Sequence, residues 1–375
     1  MSMRKLGTLL AKVKRPGKIQ TSQYLEAGEY PIIDQGQLPI AGYTDNPEIV
    51  IREPLPMTIF GDHTRAVKFS KEPFACGADG TQLLYPNSKQ IDPTYFYYAV
   101  KNIDLSNYFY ARHFKFLKEQ EIEIHDALAS QQRIASILSA YDDLIANNRR
   151  RIQLLEDAAR LLYREWFVRL RFPGHEHTKI RDGIPDGWEK VQLAKLAEVN
   201  RASIGQHFQG EIEYIDISAV SLGHIEQTTT YEFSAAPSRA RRVVQHGDII
   251  WSCVRPNRRS HAVIWHPQEN LIASTGFAVI TPTTVPTSFL YQAVTTDDFV
   301  GRLVANARGV AYPAVTAPVF ESAQILAPPG ALLAQYNEQA EPMLEQISIL
   351  RQQTQRLARA RDLLLPKLMN GEVAV

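Results

Sequence analysis

The sequence predicts an α+β chain in which two β-rich domains are joined by two long helices forming an antiparallel coiled coil, the whole built as a pseudo-twofold internal repeat. Three observations carry this expectation. Short motifs recur in the same order, turn-bounded apolar runs fill the first part of each copy, and each copy ends in a long stretch of helical periodicity. Lys5-Leu6-Gly7-Thr8-Leu9 resembles Gln192-Leu193-Ala194-Lys195-Leu196, and Met57-Thr58-Ile59-Phe60-Gly61 resembles Asp248-Ile249-Ile250-Trp251-Ser252. Gly80 with Leu83-Leu84-Tyr85-Pro86 matches Gly276 with Val279-Ile280-Thr281-Pro282, and Arg112 matches Arg308. Gln132, Leu144, Leu154, Leu161 and Leu162 line up with Gln335, Ile347, Leu357, Leu364 and Leu365. The offset grows from 187 residues at Lys5 and Gln192 to 203 at Gln132 and Gln335, as two diverged copies with loop insertions would show.

Residues 1–128 form the first β-rich domain: Arg15-Pro16-Gly17, Asp45-Asn46-Pro47 and Ala78-Asp79-Gly80 are turn signals between runs such as Tyr30-Pro31-Ile32-Ile33. A short helix is expected from Thr94 to Val100. Residues 129–170 are the first long helix, with Ser130 as N-cap and a seam of Ile134, Ile137, Tyr141, Leu144, Asn148, Ile152, Leu155, Ala159 and Leu162. About 38 helical residues would span roughly 57 Å. Residues 171–187, with Arg171-Phe172-Pro173-Gly174-His175-Glu176-His177 and Gly183-Ile184-Pro185-Asp186-Gly187, read as an exposed linker. Residues 188–330 are the second β-rich domain, and 331–375 the second long helix and tail. That helix has the seam Met343, Ile347, Leu350, Thr354, Leu357, Arg361, Leu364 and Leu368, a start near Pro342 or a turn or two earlier, and a potential kink at Pro366. Pairing the seams would leave the two domains at opposite ends of a rod.

A length of 375 residues accommodates two or three domains, and 45% hydrophobic with 22% charged residues excludes collagen-like and wholly disordered chains. Two cysteines, Cys76 and Cys253, make neither a disulfide framework nor a thiolate zinc site, and point to a reducing, cytoplasmic compartment. No run of about 18 apolar residues exists, and Lys12 and Lys14 interrupt the apolar start at Leu6, Leu9, Leu10 and Val13, so neither a span nor a signal segment is expected. With 41 basic and 40 acidic side chains the net charge is +1, so any nucleic-acid binding must come from local clustering.

Catalytic motifs are missing. There is no GxxxxGK[ST] phosphate loop, no GxGxxG turn and no Asn-Pro-Pro-aromatic tetrapeptide, Asn46-Pro47-Glu48 being the nearest. Pro185-Asp186 and Glu189-Lys190 lack nuclease spacing. His175 and His177 make a poor chelate, so no metal site is expected. Basic residues cluster instead. Arg239, Arg241, Arg242, Arg255, Arg258 and Arg259 lie in a stretch whose one acid is Asp248, with Arg308 and Tyr312 grouped with them. In the first copy His63, Arg65 and Lys68 follow the equivalent strand, and Arg112, His113, Lys115 and Lys118 interleave with Phe109, Tyr110, Phe114 and Phe116. Arginine forks fit phosphates and guanine edges, so His63, Arg65, Lys68, Arg112, Lys115, Arg239, Arg241, Arg242, Arg255, Arg258, Arg259, Arg308 and Tyr312 are candidate DNA contacts. Arg149-Arg150-Arg151 reads first as a solvated helix face.

These features together resemble the specificity subunit of Type I restriction-modification systems, over nearly the whole chain. The most specific elements are Ile184-Pro185-Asp186-Gly187-Trp188-Glu189-Lys190-Val191-Gln192-Leu193, Gly247-Asp248-Ile249-Ile250 before a recognition loop, Gln131-Gln132-Arg133-Ile134-Ala135, and the closing Leu363-Leu364-Leu365-Pro366-Lys367-Leu368-Met369-Asn370-Gly371-Glu372-Val373. The resemblance implies a non-catalytic DNA reader: two target-recognition domains, each for one half of a bipartite site, and spacer helices that dock two modification subunits. Ile134, Tyr141, Leu144, Leu155, Leu162, Ile347, Leu350, Leu357 and Leu364 are the expected spacer and docking positions. No cofactor is expected on this chain; S-adenosylmethionine belongs on the modification subunits, ATP and Mg on a restriction subunit. Two departures stand out. The first copy lacks the Pro-Asp-Gly-Trp lead-in, and its Gly61-Asp62-His63 loop differs from Ser252-Cys253-Val254-Arg255-Pro256. The alternatives are the recognition subunit of a Type IIB-like system, a fused DNA methyltransferase or nuclease, and a coiled-coil adaptor.

Overall fold

Short apolar runs cut by Pro, Gly and Asn turns cannot make long strands, and the chain folds them into small sheets of two to four strands. The computed structural model describes residues 1–77, 79–106 and 112–375. Two units result, one of Met1–Asn148 with Gln353–Val375 and one of Arg149–Gln352.

In the first unit the strands are β1 (Ser2–Lys5), β2 (Tyr30–Ile33), β3 (Gly42–Thr44), β4 (Val50–Ile51), β5 (Met57–Gly61), β6 (Val67–Ser70), β7 (Phe74–Cys76), β8 (Thr81–Leu84) and β9 (Glu121–Ile124). They pair as β3-β2-β7-β4, β6-β5-β8 and β1-β9, with β2 and β7 parallel and the others antiparallel. Helix α1 (Pro93–Lys101) covers the expected stretch, its N-cap Asp92 accepting from the Thr94 and Tyr95 amides. Helix α2 (His113–Glu119) precedes β9.

The second unit opens with two short hairpin strands, β10 (Ile180–Arg181) and β11 (Ile184–Pro185), followed by β12 (Glu189–Gln192) and β13 (Ala197–Val199). Its remaining strands are β14 (Glu211–Ile215), β15 (Val220–Ser221), β16 (His224–Ile225), β17 (Thr229–Glu232), β18 (Ala240–Val243), β19 (Ile249–Ser252), β20 (His261–Val263), β21 (Leu271–Ser274), β22 (Phe277–Pro282) and β23 (Gln324–Ala327), with the short helices α4 (Thr287–Ala293), α5 (Asp297–Ala305) and α6 (Ala317–Glu321) between the last two. The sheet β17-β14-β21-β18 repeats β3-β2-β7-β4, with its parallel pair β14/β21 in the same place. The run β20-β19-β22 repeats β6-β5-β8, and β12-β23 repeats β1-β9. The repeat is therefore structural, and loop hydrogen bonds fix its register. The Asp62 amide bonds Gly80 O at 2.7 Å as the Cys253 amide bonds Gly276 O at 2.8 Å; His113 N to Asp62 O and Val315 N to Cys253 O are both 2.9 Å. Arg112 is thus the counterpart of Ala314, and its expected match with Arg308 is corrected.

Two long helices pass from one unit into the other: α3 (Leu128–Tyr163), extended by a π turn over Arg164–Val168, and α7 (Gly330–Met369). Helix α3 starts ahead of Ser130, which lies inside it and is no N-cap. Helix α7 starts more than three turns before Pro342 and continues through Pro342 and Pro366. Within each unit the two helices are antiparallel. In the first unit Arg361 ion-pairs with Asp142, whose other oxygen accepts from the Tyr98 hydroxyl at 2.7 Å, and Ile134 and Leu138 share a core with Leu365, Leu368 and Met369. In the second, Arg351 bonds Glu156 at 2.7 Å and Gly223 O at 2.8 Å, and Tyr163 meets Tyr336 edge-on at 6.5 Å. The π turn sends Trp166 and Phe167 into that second core. Leu144 is 50% exposed and Ile145 is buried in its stead, while Ile134, Asn148 and Ala159 of the expected seam are buried. Residues 171–187 are mostly exposed, but Phe172 and Pro185 are buried, Phe172 against Trp188 at 5.1 Å. Among the described residues no helix is long and apolar enough to cross a membrane.

His261, on β20, is buried beside Trp251 and shares a 3.2 Å hydrogen bond with the Tyr291 hydroxyl. Burial, aided by the charges of Arg259 and Arg160, pushes its imidazole down to about 4. The unfolded chain therefore binds this proton between about pH 6.5 and pH 4 while the folded chain does not, and stability falls as pH drops through that window. Urea unfolding followed across it should lose up to about 3 kcal/mol from this group, and His261→Gln should flatten that loss.

Candidate nucleic-acid interface

Strand β19 ends in a loop that cannot continue the sheet, because Arg255 and Arg259 take left-handed backbone (φ 50° and 53°) around a 3-10 turn at Pro256–Arg258. Such conformations cost a non-glycine residue about 1–2 kcal/mol each and persist where neighbouring structure holds them. Here a second loop does so. The Arg308 and Ala314 amides bond each other's carbonyls at 2.9 Å, Gly309 turns the hairpin at φ 102°, and the Arg255 amide reaches Pro313 O at 2.7 Å. The Arg255 guanidinium lies 4.5 Å from the Tyr312 ring centroid and donates to Ala311 O at 3.2 Å.

The result is one lobe bearing Arg255, Arg258, Arg308 and Tyr312. Tyr312 is 69% exposed and Val310 at the hairpin tip is fully exposed. Arg259 is different, since Asp297 holds its guanidinium; among the described ion pairs none involves Arg255, Arg258 or Arg308. A lobe of guanidinium groups without a carboxylate partner among the described ion pairs, with an aromatic face beside them, suits phosphates and base edges. Beneath it the Cys253 thiol is pushed up to about 11, chiefly by burial, so it stays protonated.

Arg239 and the β18 arginines Arg241 and Arg242 are bound more closely to their own unit. Arg239 lies 3.8 Å from Asp216, Arg241 stacks over Phe233 at 4.7 Å, and Arg242 donates to Ser203 at 3.3 Å with a buried Nε that has no partner. Arg241 and Arg242 belong to the β17-β14-β21-β18 sheet, with Arg239 just before it, whereas the lobe grows from the other sheet.

In the first unit the loop after β5 is organised by Asp62, buried, whose carboxylate accepts the Phe114 amide at 2.7 Å at the start of α2. His63, Arg112 and Lys115 are exposed, while Arg65 (φ 63°) donates to Leu105 O at 2.9 Å. Lys68 points inward: its side chain is 9% exposed, its ammonium lies 3.4 Å from Asp34, and burial lowers its pKa. His113 is buried as well, with Nδ1 unpartnered. Phe109 and Tyr110 lie outside the described residues. Cys76 is fully buried, its thiol pushed up by burial. His175 bonds Phe172 O at 2.8 Å, and among the described residues no three metal-capable side chains gather.

Of the helix positions, Ile134, Ile347 and Leu350 are buried, Tyr141, Leu155, Leu162, Leu357 and Leu364 half-buried, and Leu144 exposed; Arg149, Arg150 and Arg151 face solvent. Charge and position have no means of selecting Val310. Its signal is the Gly309-Val310-Ala311-Tyr312-Pro313 string, an apolar turn that a search for basic residues passes over.

The duplicated fold is that of a restriction-modification S subunit: the Type-I system S subunit from M. genitalium superposes with a TM-score of 0.61 at 17% identity, covering 98% of this chain and 96% of that one. The model of the Type I restriction modification DNA specificity domain matches residues 1–157. The MjaIX specificity subunit of Methanocaldococcus jannaschii, a Type I restriction enzyme component, is 26% identical over 274 residues, 69% of this chain and 62% of that relative. The MjaVIII specificity subunit of the same organism is 22% identical over 262 residues, 66% of this chain and 61% of the relative. The chain thus spans about three fifths of the length of these curated relatives. The family match thus covers residues 1–157, and the likeness over the whole chain is one of fold.

Arg255 is a brace as well as a cation, so Arg255→Ala should loosen the lobe it holds. Hydrogen exchange at the Arg308 and Ala314 amides is expected to quicken by roughly fivefold, the loss of about 1 kcal/mol from a stacked, partly exposed guanidinium. Unchanged exchange would mean that the backbone pairing alone holds the hairpin.

Proposed function

We propose that this chain is the DNA-reading subunit of a Type I restriction-modification complex, each unit recognising one half of a bipartite target. The observation that carries the reading is the repeat itself: one topology made twice, with a loop held by the same backbone hydrogen bonds at the same place in each copy. The two loops differ in chemistry. Asp62 and His63 stand where Cys253 and Val254 stand, and only the second leads into Arg255 and Arg258. Equal scaffolds with unequal loops suit two different half-sites.

In this reading the chain binds and positions but does not catalyse. Its relatives carry the name of specificity subunits, and the chain has no cofactor motif. Adenine methylation falls to two modification subunits holding S-adenosylmethionine, and cleavage to restriction subunits using ATP and Mg. Apolar side chains left exposed on the helices support docking there: Leu144 and Leu363 in the first unit, Leu154 and Leu161 in the second. The seam residues Ile134, Ile347 and Leu350 are already covered and act in spacing.

The test is a methylome map of cells carrying the chain with its partner subunits. A bipartite adenine-methylated target is expected. Arg258→Ala with Arg308→Ala should relax one half-site only, weaken binding by roughly 1–3 kcal/mol per base edge no longer read, and lower the salt slope by about one for each phosphate no longer neutralised. Methyl transfer by the purified chain alone, or a double variant that reads both half-sites as before, would overturn the reading.

A further inference from the structure

The 308–314 hairpin carries more than charge. An exposed valine alone is ordinary, but Val310 stands at the tip of a turn locked by paired amide bonds, by the Arg255 amide on Pro313 and by a guanidinium stacked on Tyr312. A Cβ added at Gly309 would lie 3.1 Å from Tyr312 O, so the turn is tight as well as left-handed. The cations Arg255, Arg258 and Arg308 are in the same lobe, none with a carboxylate partner among the described ion pairs. A rigid apolar point with an aromatic beside it and cations behind it has the chemistry of a wedge that enters a base step while the cations hold the flanking phosphates.

We propose that this hairpin inserts Val310, supported by the Tyr312 ring, between adjacent base pairs of the half-site read by the second unit, unstacking that step and kinking the duplex. The proposal rests on the DNA-reading function above and specifies how one half-site is read. Part of the specificity there comes from the cost of opening the step, which is lowest at pyrimidine–purine steps, and not from hydrogen bonds to base edges.

The experiment uses the full chain with its partner subunits and duplexes of the mapped target. In these, 2-aminopurine replaces each adenine in turn, and permanganate reports unstacked thymines. Wild-type complex should raise fluorescence or reactivity at one step of the second unit's half-site. Val310→Ser should abolish that signal and weaken specific binding by about tenfold. Val310→Leu should keep the signal, and Arg258→Ala should weaken binding yet retain it in the saturated complex. Val310 is fully exposed, so these variants do not threaten the core. Footprinting of both half-sites with no unstacked step in either would overturn the wedge and leave the DNA-reading function standing. Absence of any footprint would overturn both. A Val310→Ser chain that distorts DNA normally but no longer retains its modification subunits would make the tip a protein contact.

Discussion

Everything in this molecule depends on the seam that α3 and α7 share. The two helices are separated by about 160 residues of chain, Val168 to Gly330, yet each packs against the other. The first unit is closed only when residues from the far end of the sequence arrive, Leu365, Leu368 and Met369 completing its core, whereas the second is one continuous stretch whose core takes Trp166 and Phe167 at one end and α7 residues up to Ala340 at the other. Non-local closure of this kind carries loop entropy that must be recovered by packing, and the aromatic contacts of Trp166, Phe167 and Tyr336 are well suited to recover it.

Apolar seams alone tolerate sliding. The partly buried pairs counter this, because each is tied to a third group on the domain that the helix serves. Asp142 takes Arg361 and the Tyr98 hydroxyl together, and Arg351 takes Glu156 and the Gly223 carbonyl together. A shift by one turn would leave a half-buried guanidinium or carboxylate without its partner, a larger loss than that of any exposed pair. The polar groups therefore fix register, and the apolar ones supply the attraction.

The architecture is legible in the sequence because duplication and helical periodicity are both local statistics, readable without knowing what touches what. Errors enter where geometry has to be counted over distance. Steps of three and four place Leu144 on the seam, whereas the helix presents Ile145, about 100° away around its axis. The offset that holds for Gly80 and Gly276 pairs Arg112 with Arg308, but six inserted residues precede Val315, so its counterpart is Ala314. Phe172 reads as linker because Pro173 and Gly174 follow it, and only the arrival of Trp188 buries it.

The basic cluster shows the same limit in electrostatic form. Whether an arginine is a free cation depends on an acid that can lie far away in sequence, and here the deciding acids do: Asp34 for Lys68, Asp216 for Arg239 and Asp297 for Arg259. Counting charges along the chain gives all of these residues equal standing. The fold divides them into cations spent on their own unit and cations left over, and in the second unit Arg258 and Arg308, which have no ion pair among the described residues, stand with the loops that also expose Val310 and Tyr312. A surface whose charge is free and whose apolar tip is braced differs from a solvated face, where exposed cations are flexible and apolar tips are avoided. That combination, more than the number of arginines, sets the lobe apart from the other basic positions of the second unit.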